Sequence, residues 1–369
     1  MRKQILLVTD HIGQDGTGRF ITYLANGLAH FDEYKVSLMI FHHEDRVFNK
    51  DISEKVNIIE LQLKNRIRYS LPTIIKRIAD IAPDVCIVLY TQLVYLSLLA
   101  SPIKKRGTKI LFRETIIPSM YRGNSSWFAK YLCRASYRKY DTIIAQSYDM
   151  SNDMSNNWGV NDSKIKVINN PISIKKIQEC IVGSKRPDDM PKDNLPVYLS
   201  AGRLSYQKGY DIILKRMSQL KPNIPFEYYI IGDGESKEEI VDLIEEYKLG
   251  DSVKLLGFKS NPYDYISNCD ALVLSSRYEG FPNIVLEANA LGKPVFTNNC
   301  PGGINEIIED GINGIACDFE KQSCFEEGLK AFQQTTFEPK KITELTERKY
   351  SNESIMNQYK LFLDTIVKE

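Results

Sequence analysis

Residues 275–303 read Ser275-Ser-Arg-Tyr-Glu279-Gly-Phe-Pro-Asn-Ile-Val-Leu-Glu287-Ala-Asn-Ala-Leu-Gly-Lys-Pro-Val-Phe-Thr-Asn-Asn-Cys-Pro-Gly-Gly303. Just upstream, Asp270-Ala-Leu-Val-Leu-Ser275 is apolar enough for a strand buried on both faces, and 294–297 is a second such run. Glu279-Gly280-Phe281 interrupts the first strand before a helix whose opening turn can carry Pro282. The unit is therefore strand, turn, helix, strand, with Glu279 on the loop and Glu287 inside the helix. A helix start there offers backbone N–H groups around Phe281, Asn283 and Ile284 to a phosphate, while a nearby carboxylate accepts bonds from sugar hydroxyls. The pairing suits a sugar nucleotide.

The same alternation runs outward along the whole chain. Strand-like runs fall at 3–9, 35–41, 85–90, 109–112 and 142–146, then at 197–201, 226–231, 253–256, 271–275 and 294–297, with helical patterns between them. At 369 residues the chain exceeds the size at which one core keeps growing, and each half is long enough for its own doubly wound parallel sheet. Asn169-Asn170-Pro171 follows the short strand Ile165–Ile168 and is the expected hinge, because a residue before Pro is biased to extended geometry. We expect domains over 1–170 and 171–350, a closing helical segment over 351–369, and a flexible polar loop from Gly183 to Pro196. Ligands of such sheets bind beyond the carboxyl ends of the strands. Two facing domains would put the site in the cleft between them.

Composition narrows the class. Hydrophobic residues make up 43% and charged residues 26%, ordinary values for a globular protein. Seven scattered cysteines without Cys-x-x-Cys spacing read as buried thiols in a reducing compartment. The run after Met1-Arg-Lys is too short for a signal peptide, and nothing approaches the roughly 18 apolar residues of a membrane span, so a cytoplasmic protein is expected. The net charge of +1 conceals an asymmetry: residues 1–170 hold 24 Lys+Arg against 16 Asp+Glu, the remainder 24 against 31. Most of the basic excess lies in 64–139, where 15 cations face only Asp80, Asp84 and Glu114. The first half should attract anions.

Glu-x7-Glu with Gly-Phe-Pro after the first Glu resembles the signature of the large family of retaining glycosyltransferases that includes bacterial polysaccharide and lipid-linked oligosaccharide enzymes. The resemblance runs from about residue 5 to residue 315 and implies the GT-B fold, α/β with two facing Rossmann-like domains. It implies that Glu279 lies beside the donor sugar and diphosphate and that Glu287 holds the ribose. Gly202-Arg203-Leu204, followed by Lys208-Gly209, is similar to the family segment whose Arg and Lys grip the diphosphate. The same two residues, read alone, are cations at the mouth of a strand, where a leaving diphosphate needs them. Gly232 and the Gly257-Phe258 turn match positions lining the nucleotide pocket, and a plain turn reading stays open for each.

Near the amino end, Gly13-Gln-Asp-Gly16-Thr-Gly18-Arg19 joins the first strand to a helix over Phe20–Leu28. Gly16 either lets backbone approach the phosphate or sugar of the donor or serves close strand–helix packing. Against the family's Gly-Gly-x-Glu-Arg pattern, Asp15 and Gly18 depart, which puts the role of that Glu in question. Arg113-Glu114 stands where many relatives carry a His near the acceptor; Arg113 either holds an acceptor phosphate or pairs with Glu114. His11, His30, His42 and His43 show no metal spacing, and only His11 sits at a strand end facing the expected cleft. The candidate acceptor residues are His11, Arg113 and Glu114. No Asp-x-Asp occurs, so no metal and no cofactor are expected, with Arg203, Lys208 and the helix start supplying positive potential instead.

Trp127-Phe-Ala-Lys130-Tyr-Leu-Cys-Arg134-Ala-Ser-Tyr137-Arg-Lys139 interleaves aromatics and cations at helical spacing. It is either an interfacial helix on an anionic membrane or core aromatics with a solvated cationic face. No nucleic-acid motif accompanies the charge. The expectation is a retaining, metal-independent transferase moving a sugar from a nucleotide diphosphate, a UDP-sugar, to a saccharide or lipid-linked saccharide. The alternatives are a non-catalytic sugar-nucleotide or lipid-binding subunit and a sugar-nucleotide epimerase of the same fold. A nicotinamide dehydrogenase fits poorly, since no Gly-x-Gly-x-x-Gly follows the first strand.

Overall fold

The computed structural model describes residues 2–13, 16–41, 51–61, 63, 67–190, 195–220 and 225–366. It divides into two compact units, Met1–Pro171 with Asn352–Glu369, and Ile172–Ser351.

The first unit is built on strands β1 (Lys3–Val8), β2 (Tyr34–Ile40), β3 (Asn57–Glu60), β4 (Val85–Val88), β5 (Lys109–Arg113), β6 (Thr142–Ala145) and β7 (Ile165–Val167). They form one parallel sheet in the order β3-β2-β1-β4-β5-β6-β7. Central strands such as Val85–Val88 are buried throughout, as strands covered by helices on both faces must be. β3 alone escaped the hydrophobic reading. It is an edge strand of only four residues with both ends exposed, so it carries no apolar run to notice.

The second unit carries β8 (Val197–Ala201), β9 (Glu227–Ile231), β10 (Val253–Gly257), β11 (Ala271–Leu274), β12 (Val295–Asn298) and β13 (Gly314–Cys317), in the order β10-β9-β8-β11-β12-β13. β13 follows a tight turn in which the Gly311 N–H donates to Gly314 O at 3.0 Å. The strand order reverses between β8 and β11, and ligands of doubly wound sheets bind beyond the strand ends at such a reversal. The loops after β8 and β11 are those that carry Arg203, Lys208 and Glu279.

The closing helix, Asn352–Ile366, packs on the first unit. Ile355, Met356, Tyr359, Leu363 and Ile366 join the same apolar cluster as Phe20, Leu24 and Leu28 of helix Gly16–His30. Five such side chains, at about 1.5–3 kcal/mol each for full burial, make a large contribution to that unit. Lys3 and Tyr34 donate to the Asp364 carboxylate at 3.0 and 2.9 Å, and Lys360 bridges Glu33 and Asp364 at 2.6 and 2.8 Å. The Lys360 bond is the main reason that the Asp364 carboxyl sits well below its ordinary range.

Candidate functional site

Glycines fix the strand ends around the reversal in the second unit. The Gly202 N–H donates to Ile231 O at 3.0 Å and the Gly232 N–H to Gly257 O at 2.9 Å, tying together the ends of β8, β9 and β10. Gly232 has φ of 144°, and a Cβ there would collide with the Gly202 carbonyl. Any larger residue would push these loops apart. From this platform Arg203 projects into solvent, and Lys208 closes a 3-10 turn, Tyr206–Lys208, that ends on left-handed Gly209.

The loop after β11 meets that turn. Lys208 Nζ lies 2.6 Å from Glu279 Oε1, and Ser276 Oγ donates to the same oxygen at 2.6 Å. Glu279 is only 6% exposed, so its charge is held by these two donors rather than by water. Arg277 forks onto Asp211 at 2.8 and 2.6 Å, stacks over the Tyr206 ring at 4.0 Å and donates its backbone N–H to Gln207 O at 2.8 Å. Burial opposes ionisation of Asp211, yet the Arg277 fork wins and lowers its pKa. The loop after β12 completes the frame: the Glu279 N–H donates to Pro301 O at 2.9 Å, and a Cβ on Gly302 would strike the Glu279 carbonyl. The Glu279 carboxylate is thus positioned from three loops at once.

Helix Asn283–Ala290 follows, with Pro282 in the capping position. Asn283 and Ile284 open its first turn, and Phe281, named for its backbone N–H, comes just before the Pro282 cap. Its ring is buried 5.6 Å from that of Tyr350, and a Cβ on Gly303 would strike it, so the Phe281 side chain is core. Glu287 lies in the middle of this helix and is buried. Gly257 takes φ of 72°, and the Phe258 ring after it is 67% exposed. Sequence reasoning missed Ser276, the Arg277–Asp211 fork and the Gly302 contact. The Pro301-Gly302-Gly303 turn immediately after a strand was the available signal for the last of these.

In the first unit the expected acceptor residues separate. His11 is exposed beyond β1, its Nδ1 3.5 Å from Asp10. Arg113 and Glu114 do not pair, and neither presents its charged group to an acceptor. The buried Arg113 guanidinium donates from Nε to Tyr359 Oη at 3.2 Å and from Nη2 to Asn170 Oδ1, and lies 3.5 Å over the Phe20 ring. Burial lowers its pKa. Glu114 is wholly buried and accepts from Tyr137 Oη at 2.6 Å, the Thr115 N–H at 3.0 Å and Thr91 Oγ1 at 3.3 Å, with burial raising its pKa. Both are structural, because the strand end on which they sit is roofed by the closing helix and by helix Trp127–Lys139.

Gly16 opens the first helix. A Cβ on Gly18 would collide with the Gly13 backbone, so the departure from the family Glu has a steric cause. Gln14, Asp15, His42 and His43 lie outside the described residues. Among the described residues no group of three His, Cys, Asp or Glu could hold a metal ion, and no helix is long and apolar enough to cross a membrane.

A sequence profile described as Glycosyltransferase Family 4 matches residues 14–176, and one described as Glycosyl transferases group 1 matches residues 184–349, the stretch that contains the Lys208–Glu279 site. Residues 184–349 thus carry the group 1 glycosyltransferase match. The chain is 30% identical over 240 residues to the Campylobacter jejuni N-acetylgalactosamine-N,N'-diacetylbacillosaminyl-diphospho-undecaprenol 4-alpha-N-acetylgalactosaminyltransferase, covering 64% of itself and 63% of that relative. It is 26% identical over 357 residues to the lipopolysaccharide core biosynthesis glycosyltransferase LpsE of Rhizobium meliloti, covering 95% and 93%. Its fold is similar to that of Anabaena HepE, solved with UDP, at a TM-score of 0.77 and 18% identity over 98% of this chain and 100% of that one.

Proposed function

We propose that this chain is a retaining, metal-independent glycosyltransferase that moves a sugar from a UDP-sugar to a saccharide or lipid-linked saccharide in surface polysaccharide or glycan assembly. The observation that carries the proposal is the Lys208–Glu279 pair, fixed at a strand-order reversal beside exposed Arg203. Arg203, Lys208 and the backbone at Asn283 and Ile284 would bind the diphosphate, Glu287 the ribose, and the backbone after Gly257 with Phe258 the base. Gly232 would leave room for the nucleotide. In the reaction the bond from the anomeric carbon to the phosphate oxygen breaks as the acceptor oxygen bonds the same face of that carbon. The departing phosphate oxygen takes the acceptor's proton. Lys208 and Arg203 would stabilise the charge gathering on the diphosphate, and Glu279 the positive charge on the sugar. An alpha linkage, such as the Campylobacter relative's name specifies, is what retention yields from an alpha-linked donor. The work would be done in the cytoplasm, with the chain peripheral to the membrane.

The departures at Gly18 and Arg113 could have favoured a non-catalytic binding subunit. Both now have structural causes within the first unit, so they do not argue against turnover. The deciding experiment is incubation with UDP-sugars and acceptor saccharides, with the anomeric outcome read by NMR; inversion would remove the retaining assignment. Two further outcomes are expected. Arg203→Ala should weaken UDP more than uridine, by about 1.5–3 kcal/mol for a lost charged hydrogen bond, as measured by calorimetry. Equal losses on both ligands would place Arg203 off the phosphates. EDTA should leave transfer intact, because fixed cations take the part of a bridging metal; loss restored by magnesium or manganese would reverse that.

A further inference from the structure

Helix Trp127–Lys139 turns out to be divided along its length. Its inner side buries Cys133, Ser136 and Tyr137, while Trp127, Phe128 and Tyr131 stand 79%, 54% and 62% exposed in its first turns. Of the two readings left open by the sequence, core packing therefore holds for Tyr137 but fails for these three aromatics. Trp127, Tyr131, Arg134 and Arg138 fall at spacings of four, three and four, which puts them on one outward stripe. At the far end of that stripe lies a concave surface of about 620 Å³ lined by Ser97, Ser101, Lys104, Lys105, Arg138, Lys139 and Lys164, with Leu98 as its apolar member.

Several of these cations are held in place rather than waving in solvent. Lys104 Nζ donates to Lys139 O at 2.9 Å and to Asp141 at 2.8 Å; Lys164 Nζ donates to Arg138 O at 2.9 Å and Tyr140 O at 3.1 Å; Arg138 Nε donates to Gly159 O at 3.3 Å. Lys104 and Lys164 thereby offset the carbonyl end of the helix, which would otherwise repel an anion. Lys105 and Lys139 are exposed at the rim. With Asp141 paired to Lys104, the four lysines and Arg138 of the lining still leave the surface a strong positive excess.

We propose that this groove is an anion site separate from the donor site, that it seats the phosphate headgroups of an anionic bilayer, and that Trp127, Phe128 and Tyr131 enter the interface beside it. The proposal rests on the transferase reading only in giving the bilayer as the place where the acceptor is met. A bilayer is favoured over free phosphate because the cations share a helix face with exposed aromatic area. An interface rewards both at once, whereas a free ion rewards only the charge.

Trp127 supplies its own reporter, since Trp158 is 3% exposed with its indole N–H bonded to Ser119. Added phosphatidylglycerol vesicles should shift tryptophan emission to the blue and sediment the full-length protein, whereas pure phosphatidylcholine vesicles should do neither, and the effect should weaken from low to moderate salt. Lys105→Gln with Lys139→Gln should weaken vesicle binding about thirtyfold, at roughly fivefold for each cation near a charged surface. Trp127→Ser with Tyr131→Ser should abolish the shift and weaken sedimentation. In both double variants the thermal shift given by UDP serves as the control for folding. Binding to neutral vesicles as strong as to anionic ones, no binding at all, or parental binding by the lysine variant would overturn the proposal, as would displacement by inorganic phosphate at constant ionic strength. Loss of the UDP response in the parent protein would count against the donor site and leave the vesicle result standing.

Discussion

Glu279→Gln is expected to leave the fold and UDP binding in place and to lower sugar transfer by about a hundredfold, equivalent to roughly 2.7 kcal/mol of transition-state stabilisation. Gln keeps the shape and can still accept from Ser276 and Lys208, both now 2.6 Å from Oε1, so the loops after β8, β11 and β12 keep their arrangement. What it removes is the negative charge that, on the proposed mechanism, faces the sugar as positive charge develops there. Steady-state kinetics with a donor titration separates the effects. A fall in kcat with donor KM little changed is expected, while near-parental turnover would take Glu279 out of the chemistry.

Arg113→Ala is expected to destabilise the first unit by about 3 kcal/mol, because it opens a cavity over Phe20 and leaves Asn170 and Tyr359 without their buried donor. For a unit of this size that lowers its melting midpoint by roughly 6–12 °C. Arg113→Lys should recover little, since an ammonium cannot reproduce two directed bonds and the ring stack together. The increment in stability given by UDP should survive, because every residue assigned to the donor except Gly16 lies in the second unit. A variant that melts like the parent but loses acceptor binding would restore Arg113 to the acceptor.

What could be read from the chain was what is encoded locally. Runs such as Val85–Val88 and Ala271–Leu274 are buried on both faces, so their hydrophobicity is unbroken and their nature unambiguous. Glu279, Glu287, Arg203 and Lys208 were legible because each belongs to a contiguous segment. Contacts across long separations were not. Lys208 meets Glu279 across 71 residues, and Arg113 meets Asn170 across 57 and Tyr359 across 246, spans over which no spacing rule operates. The fate of the Phe281 ring was not legible for the same reason, since its burial is decided by packing on the distant Tyr350. At Trp127, periodicity defined the helix but could not say which aromatics were inward, because aromatics and cations occur on both sides of it.

The closing helix has a consequence for how the molecule is made. The chain leaves the first unit at Pro171 and re-enters it at Asn352, and those crossings are neighbours: the Ile172 N–H donates to Tyr350 O at 2.8 Å and Ile172 bridges Ser351. The second unit is thus an insertion whose two ends meet, complete within its own span of sequence. During synthesis it can close as soon as residue 351 clears the ribosome, whereas the first unit, begun earlier, must wait for Asn352–Ile366 to cover helix Gly16–His30. Of the two units, the one begun first is finished second, and until then it holds an uncovered apolar face on which chaperones would act.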